Sequence, residues 1–319
     1  MMVNLNRKEI SGSTGIQKAY SNLVLAGITD THNKNTYVKN FLKFVAKYKY
    51  YISDCIHMGD LVATEFPNPF DSKDIAGFNN ILLTLGNHDA YVEHHQSFSD
   101  VVSASDAYNK FFSDRIANWG VEYTTGDCYY YKDYVAQKIR LIVLDCMHWD
   151  ATQKAWLDDV LTDARDVNNP YQVIISQHIP PCTDTSKINF FDCSWNSKDD
   201  VSIYHTYYYD SVELVDDFQS NGGVFIMWLL GHWHIDGVGT FVDYPNQLFV
   251  VQAQTAADNA NDGWRDMARV DGTESENCFN VYSIDPLKKY IRVARVGAEY
   301  DRNLQHKDSM LLSYNSENI

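Results

Sequence analysis

Five short apolar runs in this chain of 319 residues stop at the same kind of polar cluster. Residues 22–28 run into Asp30-Thr31-His32, 54–58 into Gly59-Asp60, and 81–85 into Gly86-Asn87-His88-Asp89. Residues 173–176 run into His178, ahead of Pro180-Pro181, and 224–230 into Gly231-His232-Trp233-His234. Short apolar runs bounded by glycine, proline and acidic residues read as buried strands. Open α/β sheets gather the carboxyl ends of their strands along one crevice. Five strands that finish in oxygen- and nitrogen-bearing side chains therefore bring those side chains to one place.

The intervening stretches fit that plan. Residues 36–50 carry Tyr37, Phe41, Phe44, Val45 and Tyr48 at helical spacing, which makes a β-α unit with the first run. Residues 97–119 read as helical, 129–135 and 138–145 as strands, and 152–166 as an amphipathic helix with Trp156, Leu157, Val160, Leu161 and Ala164 on one face. A helix over 207–219 is stopped by Asn221-Gly222-Gly223. Beyond His234 the pattern changes to strands without helices, at 238–242, 248–252, 278–284 and 290–296, with Asp285-Pro286 turning the last two into a hairpin. The expected class is α/β, mixed α+β, with two β-sheets face to face and helices outside. At 45% hydrophobic residues the chain can bury one large core, so a single domain is expected over 21–300, between a polar segment 1–20 and a polar tail 301–319. Residues 290–302 alternate charged and apolar side chains, and Arg292, Arg295 and Arg302 are expected in solvent on an outer strand.

Charge and composition exclude several classes. Twenty-six basic residues face 42 acidic ones, a formal charge of −16, which disfavours extended nucleic acid as a partner. No run approaches the roughly 18 apolar residues of a membrane span, and the first twenty residues hold no apolar stretch suited to a signal peptide. A cytoplasmic protein without a membrane partner is expected. The six cysteines form no CxxC pair, so they read as thiols of a reducing compartment, with Cys182 and Cys193 close enough in sequence to pair.

Taken singly, each cluster has a bland alternative. Asp30 and His32, two positions apart, face the same way in extended backbone, but equally make an N-cap aspartate beside a surface histidine. Gly59-Asp60 suits a turn or a metal-bridging carboxylate. In the third cluster the Asn87 carbonyl oxygen can ligate a hard cation, while His88 points elsewhere as an acid, with Asp89 near enough to orient its imidazole. His232 and His234 can supply imidazoles to adjacent metals, and His178 sits in a similar strand-end setting.

Taken together, and in this order, the clusters resemble the calcineurin-like metallophosphoesterase family. Its pattern is Asp-x-His, Gly-Asp, Gly-Asn-His-Asp/Glu, a single His, and Gly-His-x-His, and every element occurs between Asp30 and His234. The resemblance implies a four-layer αββα sandwich of two mixed sheets flanked by helices. It implies that Asp30, His32, Asp60 and His234 hold one metal, that Asp60, Asn87, His178 and His232 hold a second, and that His88 is a non-ligand proton donor. The implied activity is metal-dependent hydrolysis of small phosphate esters, monoesters or diesters and nucleotide derivatives among them, through a two-metal-bridged hydroxide. A thiolate-free donor set suits manganese, iron, zinc or nickel. Two other readings compete: a nuclease of the same fold, against which the acidic charge counts, and a non-catalytic, metal-stabilised module of a larger particle, against which an intact His88 counts.

Specificity is expected from the loop 180–205, which carries Asp184, Asp192, Trp195, Asp199, Asp200 and Tyr204. It reads either as a solvated surface loop or as a lid whose Trp195 or Tyr204 stacks on a flat leaving group. Trp149, Trp233 and Trp264 are further stacking candidates, and His94-His95 a further source of imidazole.

Overall fold

The computed structural model describes residues 22–63, 70–92, 100–182, 187–193, 210–252, 255, 273, 276–297, 301–305 and 311–312. Residues 1–20, His94-His95, Asp184, Trp195, Asp199, Asp200, Tyr204 and Trp264 lie outside these, as do the side chains of Asp192, Cys193 and Arg302 and with them the Cys182–Cys193 pairing.

The chain alternates strands and helices in its first two thirds: β1 (Leu23–Ile28), α1 (Asn35–Tyr48), β2 (Asp54–His57), β3 (Ile81–Leu83), the single turn α2 (Asn87–Ala90) and α3 (Ala104–Phe111). There follow β4 (Glu122–Tyr123), β5 (Tyr130–Tyr134), β6 (Ile139–Val143), α4 (Ala151–Ala164), β7 (Gln172–Ser176), β8 (Ile188–Cys193), α5 (Ser211–Ser220) and β9 (Val224–Leu230). Among the described residues the named elements that follow are strands: β10 (Gly237–Phe241), β11 (Leu248–Val251), β12 (Cys278–Asp285), β13 (Tyr290–Gly297), β14 (Arg302–Gln305) and β15 (Leu311–Leu312). They form a seven-stranded sheet, order β15-β14-β13-β12-β1-β2-β3, and an eight-stranded one, order β4-β5-β6-β7-β9-β11-β10-β8. Both sheets are mixed, as expected. Each has a parallel block, β1-β2-β3 at one edge of the first and β6-β7-β9-β11 in the middle of the second, and all five strands that end in polar clusters belong to these parallel sets.

Parallel strands between two layers are buried on both faces, so their sequences read as continuous apolar runs. Period-two geometry then sorts each run between two cores. On β6 and β7, Leu141, Val143 and Ile174 join the core between the sheets, while Ile142, Val173 and Ile175 join the one under α4 and α5, with Leu157, Val160 and Phe218. On the outside of the other sheet, Phe41 and Phe44 of α1 meet Phe279 of β12 edge to face at 5.2 Å between centroids.

Local signals explain the helix ends. Asp150 caps α4 by accepting the Gln153 amide at 2.8 Å, and α5 stops where Gly222 takes a φ of 89°. In the described part of the expected helix over 97–119, α3 starts only at Ala104, where Ser103 caps it by accepting the Asp106 amide, and a 3₁₀ turn at Ile116–Asn118 follows. The stretch 180–205, read as loop, contains β8, which pairs antiparallel with β10 as an edge strand and sends Ile188 and Phe190 against the helix-side core. The tail from 301 continues the first sheet, with β14 paired to β13. Among the described residues no helix is long and apolar enough to cross a membrane.

Candidate metal centre

The loops that follow β1 and β2 stay paired beyond the strands themselves. Asp30 N donates to Gly59 O at 2.9 Å, Thr31 and His32 N to Asp60 O at 3.0 and 3.1 Å, and Asn33 N to Leu61 O at 2.7 Å. This ladder brings Asp30 and His32 beside Asp60. The backbone there is not extended: φ is 50° at Asp30, 46° at His32, 56° at Asp60, 70° at His232 and 55° at His234. Left-handed turns, tolerated best by Asp, Asn and His among side-chain-bearing residues, aim these groups inward, in place of the strand alternation expected for Asp30 and His32.

Two groups result. One ligating atom from each of Asp30, His32, Asp60 and His234 lies within 4.8 Å of all the others, and the same holds for Asp60, His178 and His232, so Asp60 belongs to both. His234 Nε2 lies 3.2 Å from Asp30 Oδ1, His178 Nε2 lies 3.2 Å from Asp60 Oδ2, and the Nε2 atoms of His32 and His234 are 3.4 Å apart. Asn87 is buried, between Gly86 and His88, both of which approach Asp60.

Cations fit this arrangement on three counts. Asn87 Oδ1 is buried without a hydrogen-bond partner among the described residues, and Asp30 Oδ1 and His178 Nε2 meet only other candidate ligands, which is costly unless something else satisfies them. Each ring whose second nitrogen can be traced is fixed by a carbonyl: His178 Nδ1 donates to Met58 O at 2.6 Å and His32 Nδ1 to Val62 O at 3.3 Å. A carbonyl only accepts, so Nδ1 carries a hydrogen in both rings, and in the neutral ring that a metal would require the Nε2 lone pair turns to the centre, the arrangement typical of metal-ligating histidine. Third, Asp30 is held from behind, with Thr29 Oγ1 donating to its Oδ2 at 2.6 Å and His232 N at 3.3 Å.

The electrostatics agree. Burial opposes ionisation of Asp30, but the His234 and His178 rings outweigh it and hold the carboxyl well below the usual range. Burial likewise opposes ionisation of Asp60, and His178 and His88 reverse it. Burial works against a charge on His178 as well, yet Asp60 and Asp30 push its pKa up to about 9, whereas burial takes His32 down to about 4. Two buried carboxylates thus stay charged here, with His178 as the counter-cation a metal would replace.

Two glycines clear the space. A Cβ on Gly59, whose φ is 100°, would lie 2.4 Å from His178 Nδ1, and one on Gly86 would lie 2.2 Å from both the backbone nitrogen and Oδ1 of Asp60. The sequence places a glycine before Asp60 and before Asn87 for lack of room.

His88 and Asp89 divide their work differently from expectation. His88 N donates to Asp60 Oδ1 at 3.0 Å, and its ring, a quarter exposed, sets Nε2 4.0 Å from Asp60 Oδ2 with Nδ1 bonded to nothing. Asp89 does not orient that ring. Its fully buried carboxylate accepts four backbone amides, Gly86 at 2.8 Å and Asp60 at 3.0 Å on Oδ2, Leu61 at 2.9 Å and Val62 at 3.1 Å on Oδ1. With both oxygens occupied, Asp89 shapes the Asp60 loop instead. Burial, reinforced by the charge of Asp60, raises its pKa to about 7.

Two supporting residues escape a reading of motifs. Thr29 bonds Asp30, and His57, buried on β2 and driven by burial to a pKa of about 3, meets Thr31 Oγ1 at 2.8 Å through Nε2. Neither carries a motif; a polar residue within an otherwise apolar run is the only sign of each. Of the stacking candidates, Trp149 donates to Asp210 Oδ1 at 2.8 Å and Trp233 packs edge to face with Phe190 and Phe249, so both serve packing.

The sequence model of the calcineurin-like phosphoesterases matches residues 23–236. No curated protein sequence matches the chain. In three dimensions the chain is similar to a dimetal phosphatase from Danio rerio, with a TM-score of 0.57 at 11% identity, covering 90% of this chain and 100% of that one. Weaker likenesses include GAP50, the anchor in the inner membrane complex of Plasmodium, at a TM-score of 0.46 and 14% identity, covering 90% of each chain. Another is TT1561 of Thermus thermophilus, at a TM-score of 0.42 and 11% identity, covering 86% of this chain and 98% of that one.

Proposed function

The chain belongs to the calcineurin-like phosphoesterase family, and from that premise we propose that it hydrolyses small phosphate esters at the cluster centred on Asp60. Asp30, His32, Asp60 and His234 would hold one ion, and Asp60, Asn87, His178 and His232 the other, with manganese, iron, zinc or nickel suited to such oxygen and imidazole donors. Two bound ions supply an acidified water and neutralise charge on the phosphoryl oxygens. The rest of the chemistry belongs to the chain. Asp60 keeps both sets of donors in register, because its side chain is common to them. The His88 ring stands at the exposed side of Asp60, where Nε2 can carry a proton to the departing alkoxide. Asp89 fixes the loop that presents Asp60, through the four amides it binds.

The observation that carries this reading is the sharing of Asp60 between two groups of donors, each buried but for one half-buried histidine. Its test is a panel of a phosphomonoester, a phosphodiester, a cyclic nucleotide and single-stranded DNA, each with manganese, iron or zinc loaded. Turnover of the small esters, abolished by Asp60→Ala, is expected. No turnover on any of them would overturn it.

A further inference from the structure

The family match ends at residue 236, and residues beyond it bond to Asp236 and Thr29, close in sequence to candidate ligands. Asp236 stands two positions after His234 and is fully buried. Its carboxylate forms an ion pair with the guanidinium of Arg295 on β13, which is buried too. Arg295 therefore does not lie in solvent as its strand pattern suggested. Ile291, Val293 and Arg295 share one face of β13, and Arg292, an odd number of positions away, lies on the other. The second arm of the guanidinium donates to Cys278 Sγ on β12 at 2.8 Å, and the backbone N–H of Arg295 donates to Asp301 Oδ1 at 2.8 Å. The arginine is thus anchored in one sheet while its charge is spent on the loop of the other.

This pair sits at one end of a buried polar path. Register places Asn280 of β12 beside Arg295. Asn280 Nδ2 donates to Tyr282 Oη at 3.1 Å, and Tyr282 Oη to Gln252 Oε1 at 3.1 Å. Gln252 Nε2 reaches Thr255 Oγ1 at 3.4 Å, which accepts the Thr29 amide at 3.1 Å, and Thr29 Oγ1 bonds Asp30. Both ends of the path touch loops that carry candidate ligands, His232 and His234 at one end and Asp30 at the other.

A buried ion pair of this kind adds little net stability over apolar residues of the same volume, because two charges leave water to make it. What it provides is a fixed geometry. His232 and His234 both sit in left-handed backbone, which persists only where the surroundings hold it. We propose that Arg295 is a positioning residue for the metal centre, and that through Asp236 it holds the turn carrying His232 and His234. This rests on the reading of the cluster as a two-metal site.

The test measures cobalt(II) binding by equilibrium dialysis and by the visible absorption of the bound ion, alongside thermal unfolding. In Arg295→Met, which strands a buried carboxylate, both the melting temperature and cobalt affinity should fall, the latter about 10- to 100-fold, as for other residues that orient metal ligands. In Arg295→Met with Asp236→Leu, which replaces the pair by apolar groups, the melting temperature should return while cobalt affinity and its spectrum stay altered. Arg295→Lys keeps the charge without the fork and should also bind cobalt more weakly; it decides the matter if the double variant does not fold. Wild-type affinity and spectrum in the folded double variant, or in Arg295→Lys where that stands in for it, would overturn the proposal. A wild-type protein that binds no cobalt would instead remove the two-metal reading itself.

Discussion

The backbone amide of Asp60 donates to Asp89 Oδ2 at 3.0 Å, so the last residue of the Gly-Asn-His-Asp cluster holds the loop of the Gly-Asp cluster rather than its own neighbour His88. Four amides converge on that carboxylate. In Asp89→Asn one oxygen becomes an NH₂ that faces two N–H donors, and the lost charge-assisted bonds and stranded donors should destabilise the protein by about 3 kcal/mol or more. Urea unfolding measures this. A variant as stable as the parent, with full metal content, would show that the four bonds do not build the loop.

His88 is expected to act after binding. His88→Ala should lower kcat by roughly 10²- to 10⁴-fold, the usual weight of general acid catalysis. Metal content, measured by elemental analysis, should be unchanged. Loss of both metals in this variant would instead make His88 a ligand.

Gly86→Ala should empty the centre. The added methyl meets the nitrogen and Oδ1 of Asp60 at 2.2 Å, and neither is the loose end of a flexible side chain. Either Asp60 moves or the loop does, with a strain of about 1 to 3 kcal/mol. Bound metal should fall below one ion per chain while the circular dichroism of the sheets persists.

His148 should make stability depend on pH. Its Nδ1 meets Asp145 Oδ2 and its Nε2 meets Val102 O, both at 2.7 Å, so only the protonated ring serves both acceptors. Burial lowers its pKa, but Asp145 outweighs burial and Asp150 adds to it, so the net shift is upward. A folded pKa above the unfolded value of about 6.5 gives stability that is complete below pH 6.5 and lost as pH rises through the folded pKa. His148→Gln should therefore lose about 2 kcal/mol near pH 6 and progressively less at higher pH. Equal losses at pH 6 and pH 9 would count against the imidazolium.

The strands that hold the centre were readable in advance, and the reason is their burial on both faces. Val224–Leu230 is apolar throughout because one face meets the opposite sheet and the other meets α5, and its end at Gly231-His232 needed no further information. Strand β8 was not readable, since Ile188-Asn189-Phe190-Phe191 breaks strict alternation at an edge that buries only part of its length. The left-handed turns at Asp30 and Asp60 left no mark beyond residue types that tolerate them. Arg295 was expected in solvent because 290–302 alternates charged and apolar residues, yet it shares the buried face with Ile291 and Val293. Its partner Asp236 comes from the other sheet, and no local pattern in one strand announces a partner 59 positions away.

His32 and His234 face one another across 202 residues of chain. Closing a loop of that length sacrifices on the order of 5 kcal/mol of chain entropy before any contact repays it. No fragment that lacks part of the stretch from Asp60 to His232 can assemble either donor set, and a growing chain meets its last two imidazoles only after β9 has been made. An ion held by the first donor set would fasten the loop after β1 to the loop after β9.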